Sequence, residues 1–531
     1  MDVPKAQSSP RWLISCPLSA DMAEQPRPES RLAPAPFNKS YADLILRSSD
    51  EVEFRVWSRI LLEASPVFEA MLSPSRPLSQ APAGISEVPL VDLPEDGNIV
   101  EELLRLCYPL AKPEGLKPPD EIEPVLRAAF KYDLELPIQI LKHGLRANAE
   151  CAPLSVWAVA CRLRCEDVAR EAAASDPMRV EKYSPLEVLL SGISAGDYFR
   201  LLEYLRLGKL KSSTHFLQPT VASERSAGQS EKSSLISPIF PQMSRPDLVC
   251  CTSDGAEFRT ERRLLSCMFP TLLPSTKTAS SLRGVASKHL YTDTDDDEPN
   301  LPTVRLQETA RSLAIIFGFY NLGPRIALPS DPSALGDVLV AGQKYGLTVL
   351  CEAVKLQWTA VVKKRPIRAY LAAVRRGLHV CAKEAALSTI DVEIEGVYVP
   401  ELESSSALAY DRLLKYHKAC RDAAATALQT MFPHSSSAEQ LVCGHRHAGF
   451  KSSNSWVREY TAELCERVRS GPQRAAYWAS VIQKSTAIAA KWRASYPSPD
   501  ADLRKLSEGL RQVSKNVGAV ALNLEDIPSF S

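Results

Sequence analysis

The chain is written twice. Ala42 to Pro66 (ADLILRSSDEVEFRVWSRILLEASP) lies over Pro246 to Pro270 (PDLVCCTSDGAEFRTERRLLSCMFP) without a gap, at a constant offset of 204. Val125 to Leu134 then lies over Val338 to Leu347 at 213, the difference taken up in a loop that is longer in the second copy. The register persists: Pro153 faces Pro366, Trp157 faces Tyr370, and Ala169 to Ala173 faces Ala382 to Ala386, all at 213. Tyr198 to Tyr204 (YFRLLEY) faces Tyr410 to Tyr416 (YDRLLKY) at 212. A period of this length far exceeds that of any solenoid, so whatever one half folds into must be built again by the other.

Composition supplies the boundaries. Residues 1–38 hold seven prolines among Gln, Ser, Arg and Glu, the make-up of a disordered arm, with structure starting near Phe37. Residues 211–244 are Ser-, Gln- and Thr-rich and read as a linker. We expect folded repeats at 39–210 and 245–432, followed by a mostly helical tail at 433–531. In each repeat the apolar pattern predicts a strand (Ala42 to Leu46), a turn, a second strand (Val52 to Val56), and a helix presenting Ile60, Leu61, Ala64 and Phe68. A short strand (Val88 to Leu93) follows. Next comes a helix with Val100, Leu103, Leu104 and Cys107 inward that stops at Tyr108-Pro109. Helices at Ile122 to Tyr132 and Pro137 to Ala149 lead into an all-helical extension from Ser155 to Leu207. The fold class is α+β: a small sheet clasped by helices, with a helical extension, built twice.

Lys+Arg and Asp+Glu are both 63, so no long-range field gathers nucleic acid or anionic membrane onto the whole molecule. The 13 cysteines are an odd, scattered set, often inside apolar runs, and read as reduced thiols of a cytoplasmic or nuclear protein. No apolar run reaches the roughly 18 residues that span a bilayer. From Cys443 onward, 13 basic residues face 8 acidic ones, with Trp456, Tyr460, Tyr477, Trp478 and Trp492 among them. Such a mixture can grip single-stranded nucleic acid. The four-residue spacing of Trp456, Tyr460, Leu464 and Val468 favours one apolar helix face packed on the second repeat instead.

No catalytic constellation emerges. Gly192-Ile193-Ser194-Ala195-Gly196 matches the G-x-S-x-G nucleophile elbow, but its counterpart around Ser406 lacks both glycines, so the segment reads as a loop between helices. Asp293, Asp295 and Asp297 match the first ligands of a calcium loop, while Glu298 and Val304 occupy the positions that need Gly and Glu. Cys443, His445, His447 and Cys465 are zinc-ligand types at a poor spacing. Phosphate-binding loops, dinucleotide fingerprints and HExxH are missing from the sequence. We expect neither enzyme activity nor a cofactor.

At Asp43-Leu44, Phe54, Ile60-Leu61, Ala64-Ser65, Phe68, Leu93 and Leu103-Leu104 through Tyr108, the first repeat resembles the BTB/POZ domain. The second resembles it at Asp247-Leu248, Phe258, Leu264-Leu265, Leu306, Phe317 and Tyr320. Spacing and helical extension are similar to the BTB proteins expanded in fungi. Where the family usually places His and then Lys or Arg after the Phe, this chain has Trp57-Ser58 and Glu261-Arg262. The resemblance implies tandem BTB/POZ domains acting as a protein-interaction scaffold. Family members commonly homodimerise through the first helix and an amino-terminal strand. That points to Trp57, Ile60, Leu61 and Phe68 in the first repeat and Leu264, Leu265 and Met268 in the second, pairing within the chain or between two chains. It also implies a rival reading, a substrate adaptor that docks a cullin through Ile85 and Glu87. A nucleic-acid-associated regulator acting through the tail is the third.

Overall fold

The computed structural model describes residues 31–72, 88–110, 116–175, 186–210, 215–217, 247–268, 302–320, 328–392 and 394–431, with isolated positions between 508 and 522. The chain divides into two compact units, Met1–Ala147 and Asn148–Ser531.

In the first unit, alternation in LILR and VEFRV sends Leu44, Leu46, Val52, Phe54 and Val56 inward, the period-two signature of a half-buried sheet. Strands β2 (Leu44–Arg47) and β3 (Val52–Val56) pair antiparallel with Leu44 opposite Val56. Strand β4 (Leu90–Asp92) lies parallel to β2, and β1 (Arg31–Leu32) lies parallel to β3, giving the order β1-β3-β2-β4. Strand β1 thus lies within the proline-rich stretch, ahead of Phe37, where the sequence predicts a disordered arm. Ala33 and Phe37 are buried, and the Phe37 ring meets Phe54 and Tyr108 edge-on.

The helix expected through Ile60 and Phe68 is two helices, α1 (Ser58–Ala64) and α2 (Pro66–Leu72). Pro66 lacks an N–H to continue α1 and starts a new helix instead. Ser65 between them caps α2, its Oγ accepting from Phe68 N at 3.0 Å while donating to the Tyr132 carbonyl. Helix α3 (Gly97–Cys107) ends at Tyr108, where the sequence places the stop, and α4 (Pro119–Lys131) and α5 (Glu135–Ala147) complete the unit.

The second unit opens with the extension of the first repeat: α6 (Pro153–Arg162), α7 (Glu166–Ala174), α8 (Leu186–Leu190) and α9 (Ala195–Leu207). The second repeat follows with β5 (Leu248–Cys251), β6 (Glu257–Thr260), α10 (Arg262–Met268), β7 (Thr303–Arg305), α11 (Ala310–Tyr320) and α12 (Pro332–Lys344). Helices α13 (Thr348–Lys364), α14 (Pro366–Arg375), α15 (His379–Ser388) and α16 (Ala407–Met431) finish it, with 3-10 turns at Thr389–Asp391 and Pro400–Leu402. Among the described residues, no helix is long and apolar enough to cross a membrane.

The sequence offsets return as geometry. Leu248 lies opposite Thr260 as Leu44 lies opposite Val56, and β7 is parallel to β5 as β4 is to β2. In the first hairpin Ser48 Oγ donates to Asp50, and Asp50 Oδ1 accepts from Gly97 N at the start of α3. In the second, Thr252 Oγ1 donates to Asp254, and Asp254 Oδ1 accepts from Ala310 N at the start of α11. Tyr132 and Lys131 both reach Glu95, and Tyr345 and Lys344 both reach Glu308. Three left-handed backbone positions recur as well: Glu51 with Gly255, Asp133 with Gly346, and Arg164 with Gly377. The second copy puts glycine at each, where a Cβ is costly; the first retains the conformation with side chains in place.

Candidate interaction site

Asp43, at the entry to β2, organises the surface around α1. Its Oδ1 accepts from Ser58 N at 2.7 Å and its Oδ2 from Ser58 Oγ at 2.6 Å, which satisfies the first turn of the helix from across the sheet. Burial would raise the Asp43 carboxyl, but the Ser58 bonds outweigh it and hold the group below the ordinary value. Trp57 N donates to Tyr108 Oη at 2.8 Å, so the end of α3 fixes the residue just ahead of α1. Burial pushes the Tyr108 phenol up, and it stays a neutral hydrogen-bond partner. The Trp57 ring projects outward against Tyr41, centroids 5.7 Å apart, with the Lys39 ammonium 5.7 Å from the Tyr41 centroid. Trp57 is 41% and Tyr41 61% exposed. Toward the other end of β3, β1 forms the sheet edge, with Leu32 exposed.

The other candidate residues fall elsewhere. Leu61 and Phe68 are buried, Phe68 stacking on Tyr132 with centroids 4.9 Å apart, and Ile60 is half-buried. Leu265 is buried in the second repeat; Leu264 and Met268 stand on α10 with side chains outside the described residues. Ile85, Glu87, the acidic loop at Asp293, and Cys443, His445, His447 and Cys465 also lie outside them. Ser194 is no nucleophile elbow: it is the N-cap of α9, its Oγ accepting from Asp197 N at 3.0 Å.

Within the second unit, the two extensions meet along a seam that the repeat alone did not reveal. Ala195 N donates to Ser405 O at 2.7 Å and Ala407 N donates to Ile193 O at 2.9 Å, with Ser194 and Ser406 paired antiparallel between them. At an offset of 212 these bonds exchange into each other, so the backbone contact has two-fold form. The side chains do not. Arg200, 1% exposed, donates to Asp197 at 2.5 Å and to both Glu403 oxygens, at 2.5 and 3.1 Å. The corresponding residues to Asp197 and Glu403 are Ala409 and Ser191. Tyr198 Oη reaches Asp411, whose counterpart is Phe199. A Cβ on Gly196 would come within 2.2 Å of Glu403 Oε2, so glycine leaves the space that the carboxylate fills. The signal for this cluster was the arginine shared by YFRLLEY and YDRLLKY, with Asp197 one helical turn before it in the first copy.

Residues 35–149 match the BTB/POZ domain, a protein-protein interaction module. No curated protein matches the chain.

Proposed function

We propose that the protein is an interaction scaffold in which the BTB domain of the first repeat recruits a partner through the Tyr41–Trp57 surface. The observation that carries this reading is the exposed Trp57: Tyr108 Oη holds its backbone N–H, and its ring faces outward against Tyr41. Exposed tryptophan of this kind is a frequent anchor of protein interfaces. The edge strand β1 of the first repeat's sheet offers unpaired main-chain groups to an incoming strand. The partner that fits best is a second copy of the same surface, because the exposed Tyr41 and Trp57 rings form an aromatic patch that a two-fold axis can make self-complementary.

The second half is a second BTB-like domain in this reading. The support is the recurrence of the hairpin register, the Asp50/Asp254 and Glu95/Glu308 bonds, and the three left-handed positions at the same offsets. Trp57 is replaced by Glu261 there, so the two halves divide the work: the first presents the apolar surface, the second anchors the extensions.

Light scattering on the full chain, across the micromolar range, tests the proposal. Wild-type protein should approach twice its chain mass, while Trp57→Asp remains at one chain mass with an unchanged thermal transition, since the ring lies outside the core. A wild type that stays at one chain mass, or a variant that doubles like the wild type, defeats it.

A further inference from the structure

Past the end of α9 the chain returns to place a three-residue segment, His215-Phe216-Leu217, against α7 and α9. The segment belongs to no helix or strand. Its main chain is bound by side chains instead. Glu166 accepts from Phe216 N at 3.1 Å with one oxygen and from Leu217 N at 2.8 Å with the other. Arg200 Nε donates to the Phe216 carbonyl. The Phe216 side chain is 1% exposed, edge-on to the Tyr204 ring at 5.2 Å and under the Arg170 guanidinium at 5.7 Å. Leu217 is buried beside it.

The segment is a bend, held as a protein holds a short bound peptide: a carboxylate fork on successive N–H groups, a guanidinium on the carbonyl between, and one aromatic anchor in a pocket. The receptor side is built without its occupant. Arg170 pairs with Glu166 at 2.7 Å one turn along α7, and Arg200 is fixed by Asp197 and Glu403. Tyr204 rides on α9. Glu166 and Arg170 are both partly open to water, so the pocket has a mouth.

We propose that α7 and α9 form a binding site for a linear peptide containing Phe followed by an aliphatic residue, occupied in cis by Phe216-Leu217. The tethered occupant acts at an effective concentration on the order of millimolar. A free ligand therefore binds strongly only when the tether's own phenylalanine is withdrawn. The site is separate from the Trp57 surface and stands or falls independently of it.

The test uses the full chain carrying Phe216→Ala and a fluorescent peptide of residues 209–222. Anisotropy should report binding at least tenfold tighter than to wild type. It should vanish when the peptide's phenylalanine is replaced by alanine, and when Glu166→Gln is added to the protein. A second measurement needs no variant: hydrogen exchange of wild-type protein should show protected amides at Phe216 and Leu217 that lose protection when unlabelled peptide is added in excess of the tether's effective concentration, at about ten millimolar. A folded Phe216→Ala chain that ignores the peptide, or binds the alanine peptide equally well, overturns the proposal. So does wild-type exchange at these amides that excess peptide leaves unchanged.

Discussion

One guanidinium ties together three parts of the second unit. Arg200 is buried, and each of its three nitrogens donates: Nε to the Phe216 carbonyl, Nη1 to Glu403 from the opposing loop, and Nη2 to both Glu403 and Asp197 on its own helix. Burying such a charge is expensive unless each donor finds an acceptor, and removing one partner leaves the desolvation cost behind. Glu403→Ala should therefore lower unfolding stability by about 3 kcal/mol in urea titration. Gly196→Ala should act in the same direction, because its methyl group takes the carboxylate's space. Equal midpoints for wild type and Glu403→Ala would show that the cluster contributes nothing. Desolvation also explains the raised Asp197 carboxyl, which the neighbouring Arg200 and Arg164 only partly offset.

At the scale of elements, the two Glu–Tyr–Lys clasps show how loops and helix ends are locked. Glu308, just ahead of α11, accepts from Lys344 Nζ at 2.8 Å and Tyr345 Oη at 2.6 Å at the end of α12. Burial would raise its carboxyl; the bonds from Lys344 and Tyr345 overcome that and hold it below 4.5. The folded state thus prefers the ionised form. The clasp's stabilisation is complete above the ordinary glutamate value and is lost as pH falls through the lower folded value. Glu308→Gln should flatten the acid limb of the stability profile as pH falls below the ordinary glutamate value, while a variant with wild-type acid sensitivity contradicts the assignment. Strands β2 to β4, the turn and α3 were legible in the sequence because period-two burial and proline stops are local signals, whereas the two-residue β1 inside the proline-rich arm was not. The break at Ser65 was not, because an apolar run through Ile60 and Phe68 looks the same whether one helix or two carry it. Trp57 was legible only through the resemblance, as part of a helix face with Ile60, Leu61 and Phe68, whereas it stands just ahead of α1. Its companion Tyr41, and the burial of Leu61 and Phe68, depend on contacts distant in sequence.

Over the whole molecule, the duplication and the seam are read from opposite features of the same alignment. The period shows what the repeats share. The seam is written where they differ, in Glu403 against Ser191, Asp197 against Ala409, and Asp411 against Phe199. A symmetric backbone contact with one-sided chemistry favours pairing of unlike extensions, since two first-repeat extensions would leave Arg200 without Glu403. Non-hydrogen-bonded antiparallel neighbours have Cα atoms about 4.5 Å apart, within disulfide reach, and Ser194 and Ser406 are such a pair. The full chain carrying Ser194→Cys and Ser406→Cys, mildly oxidised and mapped by mass spectrometry, tests the pairing directly. The structure predicts a disulfide joining positions 194 and 406 within one chain; free thiols at both positions, or a link only between two chains, would contradict it.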